Sequence, residues 1–92
     1  MSTTPAYKVL VVDDSNTIRR SAEIFLRQGG HEVLLAEDGF DALAKVNDHD
    51  PELIFCDILM PRLDGYQTCA IIKRNPRFAH VPVIMLSSKD GL

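Results

Sequence analysis

Four short apolar runs, separated by amphipathic stretches, set the tightest limit on how this chain folds. Lys8-Val9-Leu10-Val11-Val12 is continuous in β-branched residues and Leu, the pattern of a strand buried on both faces, and Asp13-Asp14-Ser15 ends it. Glu32 to Ala36 reads as a second short strand. Leu53 to Cys56 is a third, ending at Asp57. Val81 to Leu86 is a fourth, with Pro82 tolerable near its start. Between them, Asn16 to Gln28 predicts a helix with Ile18, Ala22, Phe25 and Leu26 on one face, Ser15 as N-cap and Gly29-Gly30 as stop. Asp38 caps a second helix over Gly39 to Asn47, which is expected to bury Phe40, Leu43 and Val46. A third covers Tyr66 to Arg74, turns Cys69 and Ile72 inward and ends at Asn75-Pro76. Strands alternating with helices of this length predict an α/β fold. Its doubly wound parallel sheet has helices on both faces and right-handed crossovers.

The alternation fills most of the 92 residues, so one domain over 7–92 is expected, behind a short tail at 1–6. No repeat or low-complexity linker interrupts it. Net charge is −3 and the Lys and Arg residues are scattered, which gives no footprint for nucleic acid or an anionic membrane. No apolar run reaches membrane-spanning length, and the N-terminus lacks the basic-then-apolar signature of a signal peptide. Cys56 and Cys69 lie inside apolar segments, which suits reduced, buried thiols in a cytoplasmic protein. His31, His49 and His80 are dispersed and offer no metal-ligand spacing.

Three polar clusters share a position. Asp13-Asp14 follows strand one, Asp57 ends strand three, and Ser87-Ser88 follows strand four. In a parallel sheet the C-terminal ends of the strands lie on one edge, where ligands bind at the crevice between diverging crossovers. Taken singly, each cluster is an ordinary turn or cap. Together they predict three converging carboxylates. Without a cation, such carboxylates repel and one pKa rises. An oxygen-only set with room for water suits Mg²⁺, and an Asp beside that ion can attack phosphorus.

The segments Val11-Val12-Asp13-Asp14-Ser15, Asp57-Ile58-Leu59-Met60-Pro61-Arg62-Leu63-Asp64-Gly65 and Pro82-Val83-Ile84-Met85-Leu86-Ser87 resemble the signature of response-regulator receiver domains, over about residues 7–92. The resemblance implies a flavodoxin-like receiver fold with strand order 2-1-3-4. It implies Asp57 as phosphoacceptor, with Mg²⁺ held by Asp13, Asp14, Asp57 and the Leu59 carbonyl. Ser87, with Ser88 beside it, matches the switch position that binds the phosphoryl oxygens. The implied donor is a sensor histidine kinase. The domain would catalyse only its own phosphorylation and dephosphorylation. Asp38 to Lys45 and Asp64 to Ala70, with Ser87 to Gly91, look like those single-domain receivers that serve chemotaxis-like pathways controlling type IV pili and twitching motility. A downstream motility or pilus protein is then the implied target.

The chain departs from that family where a fifth strand, further helices and a phosphoryl-binding lysine are expected. Lys89 lies just past strand four and is not that lysine. The sequence therefore reads as C-terminally incomplete, with the edge of strand four open to dimerisation or strand exchange. Two other functions fit less well: a receiver-fold interaction module that never cycles phosphate, and a Mg²⁺-dependent phosphohydrolase. The second lacks a general acid two residues beyond the nucleophile and a substrate cap.

Overall fold

The computed structural model describes residues 6–86. Its elements are β1 (Lys8–Val12), α1 (Asn16–Gln28), β2 (Glu32–Ala36), α2 (Gly39–His49), β3 (Leu53–Asp57), α3 (Gly65–Arg74) and β4 (Val83–Leu86). All strand pairs are parallel, in the order β2-β1-β3-β4. This is the doubly wound α/β sheet that the alternation predicts, with the order that the resemblance implies.

Pleating divides the core. Val9 and Val11 turn to one face of β1 and pack with Val33 against Ala22 and Leu26 of α1. Leu10 and Val12 turn to the other, where Ile54 and Cys56 meet Ala42 and Val46 of α2 and Ile72 of α3. Burying each such Val, Leu or Ile side chain contributes roughly 1.5–3 kcal/mol relative to leaving it exposed. β1 is buried on both faces because α1 covers one side and α2 with α3 the other.

The helix starts follow their caps. The Ser15 hydroxyl accepts from the Ile18 amide at 3.3 Å, and an Asp38 carboxylate oxygen accepts from the Asp41 amide at 2.7 Å. Asp64 and Gln67 form a reciprocal capping box at α3. α3 accordingly begins at Gly65, one residue before the expected Tyr66. α2 runs on to His49, past the expected Asn47, and Asp50 ends it in the left-handed region.

Two expectations need correction. β4 begins at Val83 rather than Val81, although the Pro82 carbonyl already accepts from the Ile54 amide at 3.0 Å. Phe40 is 53% exposed, not core: it is the second residue of α2, and Gly39, Ala42 and Val46 form the inner face instead. No residue of α1 is fully buried. Ile18, Ala22, Phe25 and Leu26 do share a face, as expected, but that face lines an open apolar groove of about 290 Å³ over Val11, Phe55 and Leu86, and Phe25 is 75% exposed.

Candidate metal centre

The sheet register builds the site. Val12 stands opposite Cys56 across the β1–β3 pair, so the next residues, Asp13 and Asp57, emerge side by side at the C-terminal edge. The amide of Asp13 still bonds the Ala36 carbonyl, at 3.1 Å, and that of Ile58 bonds the Leu86 carbonyl, at 3.0 Å. Both acids are therefore held to the sheet by main chain on either side.

Asp13, Asp14 and Asp57 each offer a carboxylate oxygen, and these oxygens lie within 4.8 Å of one another. Asp13 and Asp57 are buried, whereas Asp14 is exposed. Oxygen-only donors from several carboxylates, one of them open to water, fit a hard divalent cation. The expected convergence of the three acids is thus what the structure contains.

The electrostatics match crowding of negative charge. The Asp13 carboxyl is pushed above its ordinary value of 3.8, first by burial and then by the charges of Asp57 and Asp14. Two groups oppose this shift: the Ser15 amide, which donates to Asp13 Oδ1 at 2.8 Å, and the positive charge of Arg19. Arg19 Nη1 donates to the Asp13 backbone carbonyl at 2.6 Å, while Nη2 reaches Asn16 Oδ1 at 3.0 Å. Nothing in the apolar periodicity of α1 singles Arg19 out. Its spacing does, since it lies one helical turn beyond Ser15, where a long side chain leans back over the helix start.

Leu59, half exposed in the connection after β3, donates its amide to Asp57 Oδ1 at 3.3 Å. Ser87, Ser88 and Lys89 lie outside the described residues, as do residues 1–5 of the tail. Two residues bracing the site have no signature in the sequence beyond a turn or a helix start. Gly65 brings α3 against the β3 end: a Cβ there would overlap the Asp57 carbonyl oxygen and stand 2.8 Å from the Ile58 Cα. Thr68 is fully buried, and its hydroxyl donates to the Asp64 carbonyl at 2.8 Å. Cys56 and Cys69 are both free thiols. Cys56 is buried as expected, and Cys69 is partly accessible.

With this edge in view, the comparisons with known proteins agree. The model of the response regulator receiver domain family matches residues 9–92, and the chain belongs to that family. It is 66% identical over 85 residues to protein PilG of Pseudomonas aeruginosa, covering 92% of this chain and 63% of that relative. Protein PilH of the same organism is 35% identical over 83 residues, covering 90% and 69%. The chain thus spans just under two thirds of PilG. Among solved structures, the N-terminal domain of a response regulator receiver protein from Methanoculleus marisnigri superposes with a TM-score of 0.87 at 37% identity, covering 90% of this chain and 68% of that one. The chemotaxis response regulator CheY4 of Vibrio cholerae gives 0.85 at 33% identity, covering 88% and 68%. The chain is a receiver domain of the kind carried by two-component response regulators, a signalling family rather than a catalytic one. No helix among the described residues is long and apolar enough to cross a membrane.

Proposed function

We propose that Asp57 accepts a phosphoryl group from a phosphohistidine of a chemotaxis-type sensor kinase, in a cytoplasmic pathway that controls type IV pilus twitching motility. The observation that carries this reading is the meeting of three carboxylates at the ends of adjacent parallel strands. The high identity to PilG supports the pathway, with a motility or pilus protein as the downstream target.

Asp13, Asp14, Asp57 and the Leu59 carbonyl would hold Mg²⁺. When bound, Mg²⁺ supplies positive charge against the oxygens of the transferring group. The chain's own residues do the rest. One Asp57 oxygen forms the new O–P bond. The P–N bond of the donor breaks, and its electron pair leaves with the ring nitrogen as imidazole. The Leu59 amide, already on the other side of the contact at Asp57 Oδ1, orients the carboxylate. The Arg19 fork and the Ser15 amide hold the turn that carries Asp13 and Asp14. Ser87, with Ser88 beside it, is assigned the phosphoryl-sensing switch on resemblance alone.

The test is incubation with Mg²⁺ and acetyl phosphate, followed by intact mass spectrometry. A gain of one phosphoryl group, lost on hydroxylamine treatment and absent in Asp57→Asn, is expected. Failure of the unaltered protein to gain it would replace this reading with a receiver-fold interaction module that does not cycle phosphate.

A further inference from the structure

Arg62 holds its backbone in the left-handed region, at φ +69°. Side chains with a Cβ disfavour that conformation, and glycine adopts it freely. A turn needing only the backbone shape would be better served by glycine. The reason for an arginine therefore lies in what its side chain touches.

It touches the start of α2. Arg62 Nη2 meets Asp38 Oδ2 at 2.9 Å, and the guanidinium carbon lies 5.2 Å from the centre of the Phe40 ring. Asp38 is itself fixed, because its other oxygen caps α2. Beside this contact the two segments touch directly. A Cβ on Gly39 would stand 2.8 Å from Leu63 Cδ2 and would overlap the Thr68 hydroxyl. The connection from β3 to α3 is thus fastened to the β2–α2 turn at adjacent points, Arg62 by charge and stacking, Leu63 by packing. The same connection carries Leu59. Its other end is tied back at Gly65, whose amide donates to the Ile58 carbonyl at 2.8 Å.

We infer that Arg62 is a positioning residue for the acidic site: by clasping Asp38 and Phe40 it holds the Leu59 main chain in the orientation that serves Asp57 and its cation. This rests on the Mg²⁺-dependent phosphoacceptor reading above. The alternative is a solvent-facing ion pair with no consequence, since exposed pairs contribute little to stability. The two differ in what they predict for metal affinity. A clasp acts on affinity with little effect on melting, and an idle pair acts on neither.

The experiment compares the unaltered protein with Arg62→Gln, Arg62→Lys, Arg62→Gly and Phe40→Leu. Mg²⁺ binding is read by titration calorimetry, and the initial rate of phosphorylation by acetyl phosphate is read across Mg²⁺ concentrations. Arg62→Gln should weaken Mg²⁺ binding about tenfold, the range seen when groups that orient metal ligands are removed. Its rate at saturating Mg²⁺ should stay near that of the unaltered protein, so the effect falls on the half-saturating concentration. Arg62→Lys keeps the charge and should recover part of the loss. Phe40→Leu removes the stack alone and should give an intermediate loss. Arg62→Gly relieves the backbone, so it should melt no lower than the unaltered protein while binding Mg²⁺ as weakly as Arg62→Gln. That split between stability and affinity is what a purely structural role would not produce. Mg²⁺ binding within about twofold of the unaltered protein in both Arg62→Gln and Arg62→Gly overturns the clasp, being far below the effect of a lost orienting group. Absence of phosphorylation in the unaltered protein sinks the phosphoacceptor reading, and this inference with it.

Discussion

The hydrogen that Gly65 carries in place of a side chain faces the carbonyl oxygen of Asp57, with no space for a carbon between them. The two nearest atoms, the Asp57 oxygen and the Ile58 Cα, are backbone, which cannot swing aside. Gly65→Ala should therefore destabilise the fold by about 1–3 kcal/mol, the usual cost of overpacking. Urea denaturation checks this. An unchanged midpoint would show that α3 can back away from β3 at no cost.

Charge crowding at the acidic edge makes a second expectation. Asp14 is exposed and is one of the charges that raise the Asp13 proton affinity. Asp14→Asn should raise the melting temperature in EDTA and shrink the further gain on adding Mg²⁺. A variant that melts lower than the unaltered protein in EDTA would contradict the crowding.

The raised Asp13 carboxyl also fixes the sign of a pH effect. The folded chain keeps this proton at a pH where the unfolded chain, near 3.8, has released it. Stability of the metal-free protein from this group therefore falls as pH rises from that value through the folded one. Below both values the penalty is absent, and above both it is complete. Asp13→Asn should remove this component of the slope in urea midpoints measured across the acid range. An unaltered slope in the variant would assign the dependence to other groups.

Thiol chemistry offers an independent check on packing. Burial, with smaller contributions from Cys69 and the nearby acids, pushes the Cys56 thiol up to about 12. It stays protonated and enclosed at neutral pH, so it is a poor nucleophile. Native protein at pH 8 should label at Cys69 and not at Cys56, and unfolded protein at both. Peptide mapping that finds native Cys56 labelled first would mean that β3 opens readily.

The outer edge of β4 pairs with no other strand among the described residues, and the groove holding Phe25 lies on the adjoining face. Unpaired edges beside apolar surface favour association. Sedimentation velocity on the 92-residue chain should show self-association that grows with concentration and that Phe25→Glu reduces. A monomer at every concentration, melting cooperatively, would count against this.

How much of this could be read from residues alone depended on how local the cause was. β1 was legible because its β-branched run leaves a buried parallel strand as the natural solution. The α1 period was legible too, yet its burial was not. Phe25 sits on the apolar face, but only what lies over that face decides whether it meets water. Phe40 lies outside the core for a different reason: at the second position of a helix, a side chain can point past the core toward a neighbouring loop, here to Arg62. The three acids were legible because parallel topology sends strand ends to one edge. Gly65 and Thr68 act through close approach between elements, Gly65 against the end of β3 and Thr68 against Gly39 of α2, which no spacing rule reports; Arg19 has only its one-turn spacing from Ser15 to mark it.

The alignment of Val12 with Cys56 has a consequence for how such a protein can change over time. Each strand residue points opposite to the one before it, so inserting or deleting one residue within β1 or β3 would flip its terminal acid to the other side of the sheet. The two acids would then part company even if the sheet survived. Tolerated changes in length should collect in turns at the far end of the sheet, such as 29–31. One end of the molecule can drift while the other keeps count.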